Sequence, residues 1–352
     1  MIVMPKQTTR EFVKPQRLRP GDEVAVIADS DGDAAGKLRP VFRRGVNNLE
    51  QLLGLQVKEY PTTKMSSAYL HNHPDIRARD INDAFDDRDI KAVFSAVGGD
   101  NSVLSLPYLN MKVIHSNPKI IMGLSDSTAP ITAIHYKANL VTYYGLSVMS
   151  DFAQMRQLPE ESIRHVKDMF FDPKETYEYK QYDYQYAYRP GTSWALKGRT
   201  ANTDWRKLQG NSPVRGELFG GCIDVLEFMK ATPFWPPKEF FNGKILLFET
   251  ADDDRWSPEQ VKFSLRNYGS QGILSNINGI VFGKLSMYSE KERKKLEKGM
   301  LMVASEFERS DLPIISNVDF GHTQPGSIVP NGIKAEIDPE KMIFRLLEPT
   351  VR

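Results

Sequence analysis

Residues 118–135, PKIIMGLSDSTAPITAIH, constrain the fold more than any other stretch. Lys119 to Met122 is a short apolar run with β-branched residues, the composition of a buried strand. Gly123-Leu124-Ser125-Asp126-Ser127 supplies a turn, and Thr128 to Asn139 then carries apolar residues at helical spacing, with Ile131, Ile134 and His135 on one side. A serine at such a corner sits at the C-terminal edge of a parallel sheet, where the N–H groups that follow it can meet a developing negative oxygen. The pattern is close to G-x-S-x-G, with Ser127 in place of the last glycine. The plainer reading is a helix N-cap by Ser125 or Asp126.

The flanking sequence supports a sheet of that kind. Residues 1–20 read as an irregular arm ending at Pro20-Gly21. Strands are expected at Glu23 to Ala28, Gln56 to Tyr60, Ala92 to Ala96 and Val141 to Tyr144, with helices from Pro40 to Leu53 and Pro74 to Asp86 between them. Strands alternating with helices at this spacing predict an α/β fold with a parallel, doubly wound sheet. Ligands of such sheets bind beyond the carboxyl ends of the strands. Gly98-Gly99 and Ser125 both fall there, which makes Gly98 a candidate substrate contact. The loop DSDGDAAGK after the first strand imitates a phosphate loop, but Gly32 and Gly36 are separated by three residues instead of four and Leu38 replaces the Ser/Thr.

After an expected helix from Glu160 to Phe170 the composition shifts. Tyr177 to Tyr188, YEYKQYDYQYAY, places tyrosine at nearly every second position, ahead of Pro190-Gly191, Trp194 and Trp205. Alternation predicts an extended hairpin with one aromatic face, either packed on the core or forming a wall over a cleft. From Gly216 the α/β pattern resumes. Gly220-Gly221 is expected to open a helix from Cys222 to Met229. Lys244 to Phe248 reads as a strand ending at Glu249, and Ser257 as the N-cap of a helix from Pro258 to Tyr268. A strand from Gly279 to Phe282 and a helix from Lys291 to Phe307 follow. Pro313 to Ser316 is a strand leading into the polar loop NVDFGHTQPGSIVPNG, and Ile333 to Asp338 and Met342 to Leu346 close the chain as a hairpin. The expected division is an arm (1–20), an N-terminal α/β domain (21–165), an aromatic-rich linker (166–212) and a C-terminal domain (213–352).

A net charge of +1 gives no reason to expect nucleic acid or an anionic membrane as a partner. The single cysteine, Cys222, excludes an intramolecular disulfide framework. The first residues carry no apolar signal core and no run reaches the roughly 20 apolar residues of a membrane span, so a cytoplasmic location is expected.

A serine nucleophile needs a base, and the base an orienting carboxylate. His71, His73 and His115 lie in polar loops, His165 on what reads as a surface helix, and His135 on a packing face. His322 stands apart, in a loop after a strand and beside Gly321. Glu249 ends an apolar strand, where an isolated carboxylate is costly without a partner. Ser125, Glu249 and His322 are therefore the candidate triad.

The segments GGDNSVLSLPYL, PKIIMGLSDSTAPITAIH, GELFGGCIDVL, KILLFET and FGHTQPGSIVPNG together resemble, in order, the blocks of the LD-carboxypeptidase family of serine peptidases, which includes the microcin-immunity branch. The resemblance implies a Ser-Glu-His triad at Ser125, Glu249 and His322 and an oxyanion hole from the N–H groups of Gly99 and Asp126. It also implies a flavodoxin-like N-terminal sheet domain, a smaller C-terminal α/β domain with a barrel-like sheet, a site between them, no cofactor, and a homodimer. The implied substrate is a peptidyl- or aminoacyl-nucleotide, with a murein tetrapeptide as the alternative. The aromatic segment is similar to the branch in which an aromatic ring stacks on a nucleobase, with Trp194 the nearest candidate and Trp205 behind it. The first loop, ADSDGD, departs from the family's Pro-Ser turn, and Cys222 stands where asparagine is usual. A non-catalytic binding protein on the same fold and an ordinary α/β-hydrolase esterase are the competing readings, the latter disfavoured by two domains.

With one cysteine and scattered histidines the sequence offers no metal-ligand cluster. Hydrolysis is therefore expected to survive EDTA unchanged, and inhibition that added zinc reverses would contradict this.

Overall fold

The computed structural model describes residues 11–187, 196–251, 256–286 and 288–352. Among these residues a six-stranded sheet and an eight-stranded sheet form, with a two-stranded ribbon beside them. In the first sheet, Gln56–Glu59, Glu23–Ile27, Ile90–Ser95, Ile120–Gly123 and Thr142–Tyr144 lie side by side and parallel. Taken in chain order this is 2-1-3-4-5, the flavodoxin-like winding. The central strands are buried on both faces, as their uninterrupted Val, Ile and Ala runs require. Gln56–Glu59 alternates between exposed and half-buried positions and carries Lys58 and Glu59, a charged edge that discourages further pairing.

The second sheet has the order Tyr177–Glu178, Ile343–Leu346, Lys334–Asp338, Val214–Cys222, Ile245–Glu249, Gly279–Gly283, Ile314–Val318 and Arg206–Gln209. Its four inner strands from Val214–Cys222 to Ile314–Val318 run parallel, while antiparallel pairs finish both ends and the sheet curls into a half-barrel. Helix Pro258–Ser270 starts at a capping box formed by Ser257 and Gln260, in keeping with the N-cap expected at Ser257.

Four local expectations are corrected. Gly220 and Gly221 end the strand Val214–Cys222, and the helix begins only at Ile223. The tyrosine-rich segment is not one hairpin. Tyr177–Glu178 joins the eight-stranded sheet, Tyr179 stacks on Phe344 at 4.3 Å and Tyr182 is buried, whereas Tyr184–Ala187 pairs with Lys197–Ala201. Packing on the core has won over a wall above the cleft for the first three tyrosines. The expected linker thus supplies edge strands at both ends of the second sheet. Finally, Val329–Asn331, expected as loop, crosses over to pair antiparallel with Thr142–Tyr144 and completes the first sheet.

That crossover holds the two sheets together. Asn331 is fully buried, and its side chain accepts from the Gly220 N–H at 2.8 Å and donates to the Gly220 carbonyl at 3.3 Å. Among the described residues no helix is long and apolar enough to cross a membrane. Because Asn331→Ala leaves both buried Gly220 groups without a partner, it is expected to cost about 1–3 kcal/mol of unfolding free energy by chemical denaturation. A loss under about 0.5 kcal/mol would show the clamp to be dispensable.

Candidate active site

Ser125 lies where strand Ile120–Gly123 turns through a single 3₁₀ turn, Ser125–Ser127, into helix Thr128–Ala138. Its φ of 61° is in the left-handed region, a strained conformation for a residue with a Cβ and the one that lifts a side chain off a tight strand-to-helix corner. The helix N-cap is Ser127, without a side-chain cap bond, so neither Ser125 nor Asp126 is held there as a helix cap. Gly98 makes room for the corner, since a Cβ at Gly98 would come within 2.8 Å of the Ser125 Cβ.

Asp126, the residue after the serine, is buried and points the other way. Its carboxylate accepts from the N–H groups of Asn101 at 3.0 Å and Ser102 at 2.7 Å, and from the Ser30 hydroxyl. Burial pushes its carboxyl up, against the opposing pull of these bonds and of Arg77. The Gly98-Gly99 turn is thereby fastened to the corner. The hydrogen bonds of this region leave the N–H groups of Gly99 and Asp126 without a protein acceptor among the described residues.

Glu249 ends strand Ile245–Glu249 and is fully buried. One carboxylate oxygen accepts from the His322 Nδ1–H at 2.7 Å and from the His322 backbone N–H at 3.1 Å. The other accepts from the Tyr144 hydroxyl at 2.5 Å. Burial raises the Glu249 carboxyl, but the adjoining His322 charge and the bonds from His322 and Tyr144 outweigh it and hold the group below the usual carboxylate range. Because Nδ1–H donates to the carboxylate, a proton exchanged by the imidazole passes through Nε2. The Tyr144 oxygen also accepts the Ser125 N–H at 3.1 Å, so a continuous chain runs from the serine backbone to His322.

Ser125, His322, Gly98, Gly99 and Asp126 line one cavity of about 510 Å³. Glu249 stands behind His322, and Ser125 and His322 face the same cavity. Asp31 and Asp33 bring the ADSDGD loop into the lining, and Cys222 is there as a buried free thiol. Trp205 is elsewhere. Its indole N–H donates to Asp319 at 3.0 Å, beneath the loop that carries His322, so it acts as a support and not as part of the cavity. Trp194 lies outside the described residues. His165 is not on a surface: it is buried, with Nδ1 2.7 Å from the Tyr177 hydroxyl and Nε2 accepting the Ile328 N–H at 2.7 Å, and burial pushes it down to about 3. His135 packs as expected, stacked on Phe12 at 4.0 Å.

Sequence reasoning missed Tyr144 and Thr128. Thr128 donates to the Ser125 carbonyl at 2.7 Å and accepts the Cys222 N–H at 3.0 Å, tying the corner to the second sheet. Tyr144 was findable, because it ends the strand adjacent to the one that carries the serine. Among the described residues no group of three or more His, Cys, Asp or Glu is placed to hold a metal ion.

The sequence profile of the LD-carboxypeptidase N-terminal domain matches residues 24–145, and that of the C-terminal domain matches residues 215–337. The microcin C7 self-immunity protein of Escherichia coli is 25% identical over 90% of this chain and 91% of its own length. A Bacillus subtilis protein named for murein peptide carboxypeptidase activity is 27% identical over 92% of this chain and 91% of its own. A solved structure of the microcin C7 self-immunity protein in complex with aspartyl sulfamoyl adenosine shares the fold, with a TM-score of 0.84, 23% identity and coverage of 97% of this chain and 100% of that one.

Gly321 has φ 89°, and a Cβ there would lie 2.5 Å from the nearer Glu249 oxygen. Gly321→Ala is expected to cost about 1–3 kcal/mol and to push the Glu249–His322 pair apart. A crystal structure of the variant with the 2.7 Å contact intact would contradict this.

Proposed function

The chain belongs to the LD-carboxypeptidase family of serine peptidases, and from that premise we propose that Ser125, His322 and Glu249 form a catalytic triad that cleaves an amide bond through an acyl-enzyme. One observation carries the reading: a serine strained into the left-handed region shares a cavity with a histidine whose Nδ1 is paired to a buried glutamate. His322 takes the Ser125 proton on Nε2 as Oγ attacks the carbonyl, and returns it to the leaving amine. Glu249 keeps the imidazole in the required tautomer and stabilises its charged form. The N–H groups of Gly99 and Asp126 receive the tetrahedral oxyanion. Water then attacks the acyl-enzyme, with His322 as base, and frees the acid. Burial and the adjacent Glu249 hold the Tyr144 hydroxyl protonated, so it serves as a fixed donor to the carboxylate.

The substrate class is a small peptide or an aminoacyl-nucleotide conjugate. Support for the conjugate comes from the likeness to the microcin self-immunity protein and to its structure with aspartyl sulfamoyl adenosine. A murein tetrapeptide is the second reading, supported by the likeness to the Bacillus subtilis protein named for murein peptide carboxypeptidase activity. Asp31, Asp33 and Asp100 line the cavity, and no lysine or arginine is among the described lining residues, so an anionic group of either substrate finds no cationic partner there.

Assay of the purified protein on an aminoacyl-nucleotide and on a murein tetrapeptide decides between the two. Ser125→Ala should lower kcat by on the order of 10⁴-fold or more on whichever is turned over, with the fold retained. Near-normal turnover by a folded Ser125→Ala protein would remove the triad. Binding without any turnover by the wild type would favour a ligand-binding protein.

A further inference from the structure

Most of the aspartates that line the cavity are already engaged. Asp126 holds the Gly98-Gly99 loop, Asp31 accepts from the Ser67 hydroxyl, and Asp100 accepts from the Asn101 side chain at 2.7 Å. Asp224 differs. It sits in the first turn of helix Ile223–Met229, 7% exposed, and lines the cavity. Its Oδ2 accepts the Ala251 N–H at 3.3 Å, whereas its Oδ1 is buried with no hydrogen-bond partner among the described residues. Cys222, two residues earlier, is in register with Glu249 and is bonded through its N–H to Thr128, three residues after Ser125. The Asp224 residue is therefore tied to the serine corner and to the Glu249 strand by two short stretches of fixed backbone.

We infer that Asp224 is a substrate-binding residue that takes a protonated primary amine of the residue whose carbonyl is attacked, an inference that rests on the amide-hydrolase reading above. A buried carboxylate oxygen without a donor is costly, and a ligand that supplies one recovers that cost. Cationic donors are selected over neutral ones because the rest of the described lining offers aspartates and no lysine or arginine. Burial, then the charge of nearby Glu249, pushes the Asp224 carboxyl up to about 7. An arriving ammonium favours its ionised form and so forms a charge-assisted bond in a partly dry site. Both substrate classes proposed above carry such a group on the residue whose carbonyl is attacked. It is the α-amine in an aminoacyl-nucleotide and the side-chain amine of the diamino acid in a murein peptide.

The test uses the full chain with Ser125→Ala, so that binding is read without turnover. Three probes are titrated by calorimetry: Nα-acetyl-L-lysyl-D-alanine with a side-chain amine, L-norleucyl-D-alanine with an α-amine, and Nα-acetyl-L-norleucyl-D-alanine with neither. At least one amine-bearing probe should bind about tenfold or more tightly than the neutral one, and which one identifies the source of the ammonium. Adding Asp224→Asn, which keeps the acceptor for Ala251, or Asp224→Ser, should reduce the difference to about twofold or less. Equal affinities in the Ser125→Ala parent, no binding of an amine probe at millimolar concentration, or discrimination that survives both Asp224 variants would overturn the assignment. Hydrolysis by the wild type is scored separately. Discrimination in binding without hydrolysis would leave the Asp224 site standing and remove the peptidase reading, and hydrolysis without discrimination would do the reverse.

Discussion

The structure depends on the burial of one negative charge. Glu249 has no contact with solvent, and an ionised carboxylate taken out of water costs on the order of several kcal/mol unless donors replace the lost hydration. Three do so: the His322 ring, the His322 backbone N–H and the Tyr144 hydroxyl. They come from separate places in the chain. Tyr144 ends a strand of the first sheet, Glu249 ends a strand of the second, and His322 stands on the loop that leaves the second sheet and returns to the first. The carboxylate can be satisfied only when both sheets are docked, so assembly of the fold and assembly of the site are one event.

The loop that carries His322 is itself anchored from both sides. Asp319 accepts from Lys284, which is fully buried, and from Trp205, Asn202 and the Tyr182 N–H. Gln324 donates to Asp151 at 2.7 Å and to the Ser150 carbonyl at 3.0 Å, both beyond the last parallel strand of the first sheet. His322 lies between these two anchors. A base held in this way keeps its orientation without a substrate, which lowers the reorganisation needed at the moment of proton transfer.

How much of this was legible in the sequence follows the range of each interaction. The parallel sheet could be read because each strand and helix announces itself within about ten residues by its own periodicity. Ser125, Glu249 and His322 could be singled out because each violates a local rule: a serine at a tight corner, a carboxylate closing an apolar strand, a histidine beside a glycine in a loop. The crossover Val329–Asn331 could not be read. Its partner is Thr142–Tyr144, far away in the chain, and Pro330 makes the segment look like loop when considered alone. His165 failed for the same reason, since its polar neighbours suggest a surface helix while its burial comes from Tyr177 and the backbone at Ile328. Trp205 was noticed as an aromatic, but its role depends on Asp319, which no local pattern connects to it.

The same enclosure that keeps Glu249 ionised acts oppositely on carboxyls with weaker compensation. Burial pushes Asp29 up to about 6 despite bonds from Ser95 and Ser127, and Asp151 up to about 6 despite those from Ser147, Ser150 and Gln324. A carboxyl whose folded pKa is raised contributes stability that is fully present below its unfolded value, near 4, and is lost as pH rises through about 6. Glu249, with a lowered folded pKa, contributes stability present above its unfolded value and lost as pH falls through the folded one. Between about pH 4 and 6 the two kinds of group therefore favour the folded state together, because the native protein then holds protons on Asp29 and Asp151 while Glu249 stays charged. Above that window the framework carries extra buried charge around an intact Glu249–His322 pair. The buried imidazoles of His135 and His165, pushed down to about 3, act the other way, because the stability they contribute is lost as pH falls below their unfolded value near 6.5. The enclosure that keeps Glu249 charged thus sets buried carboxyls and buried imidazoles against each other over the same pH range.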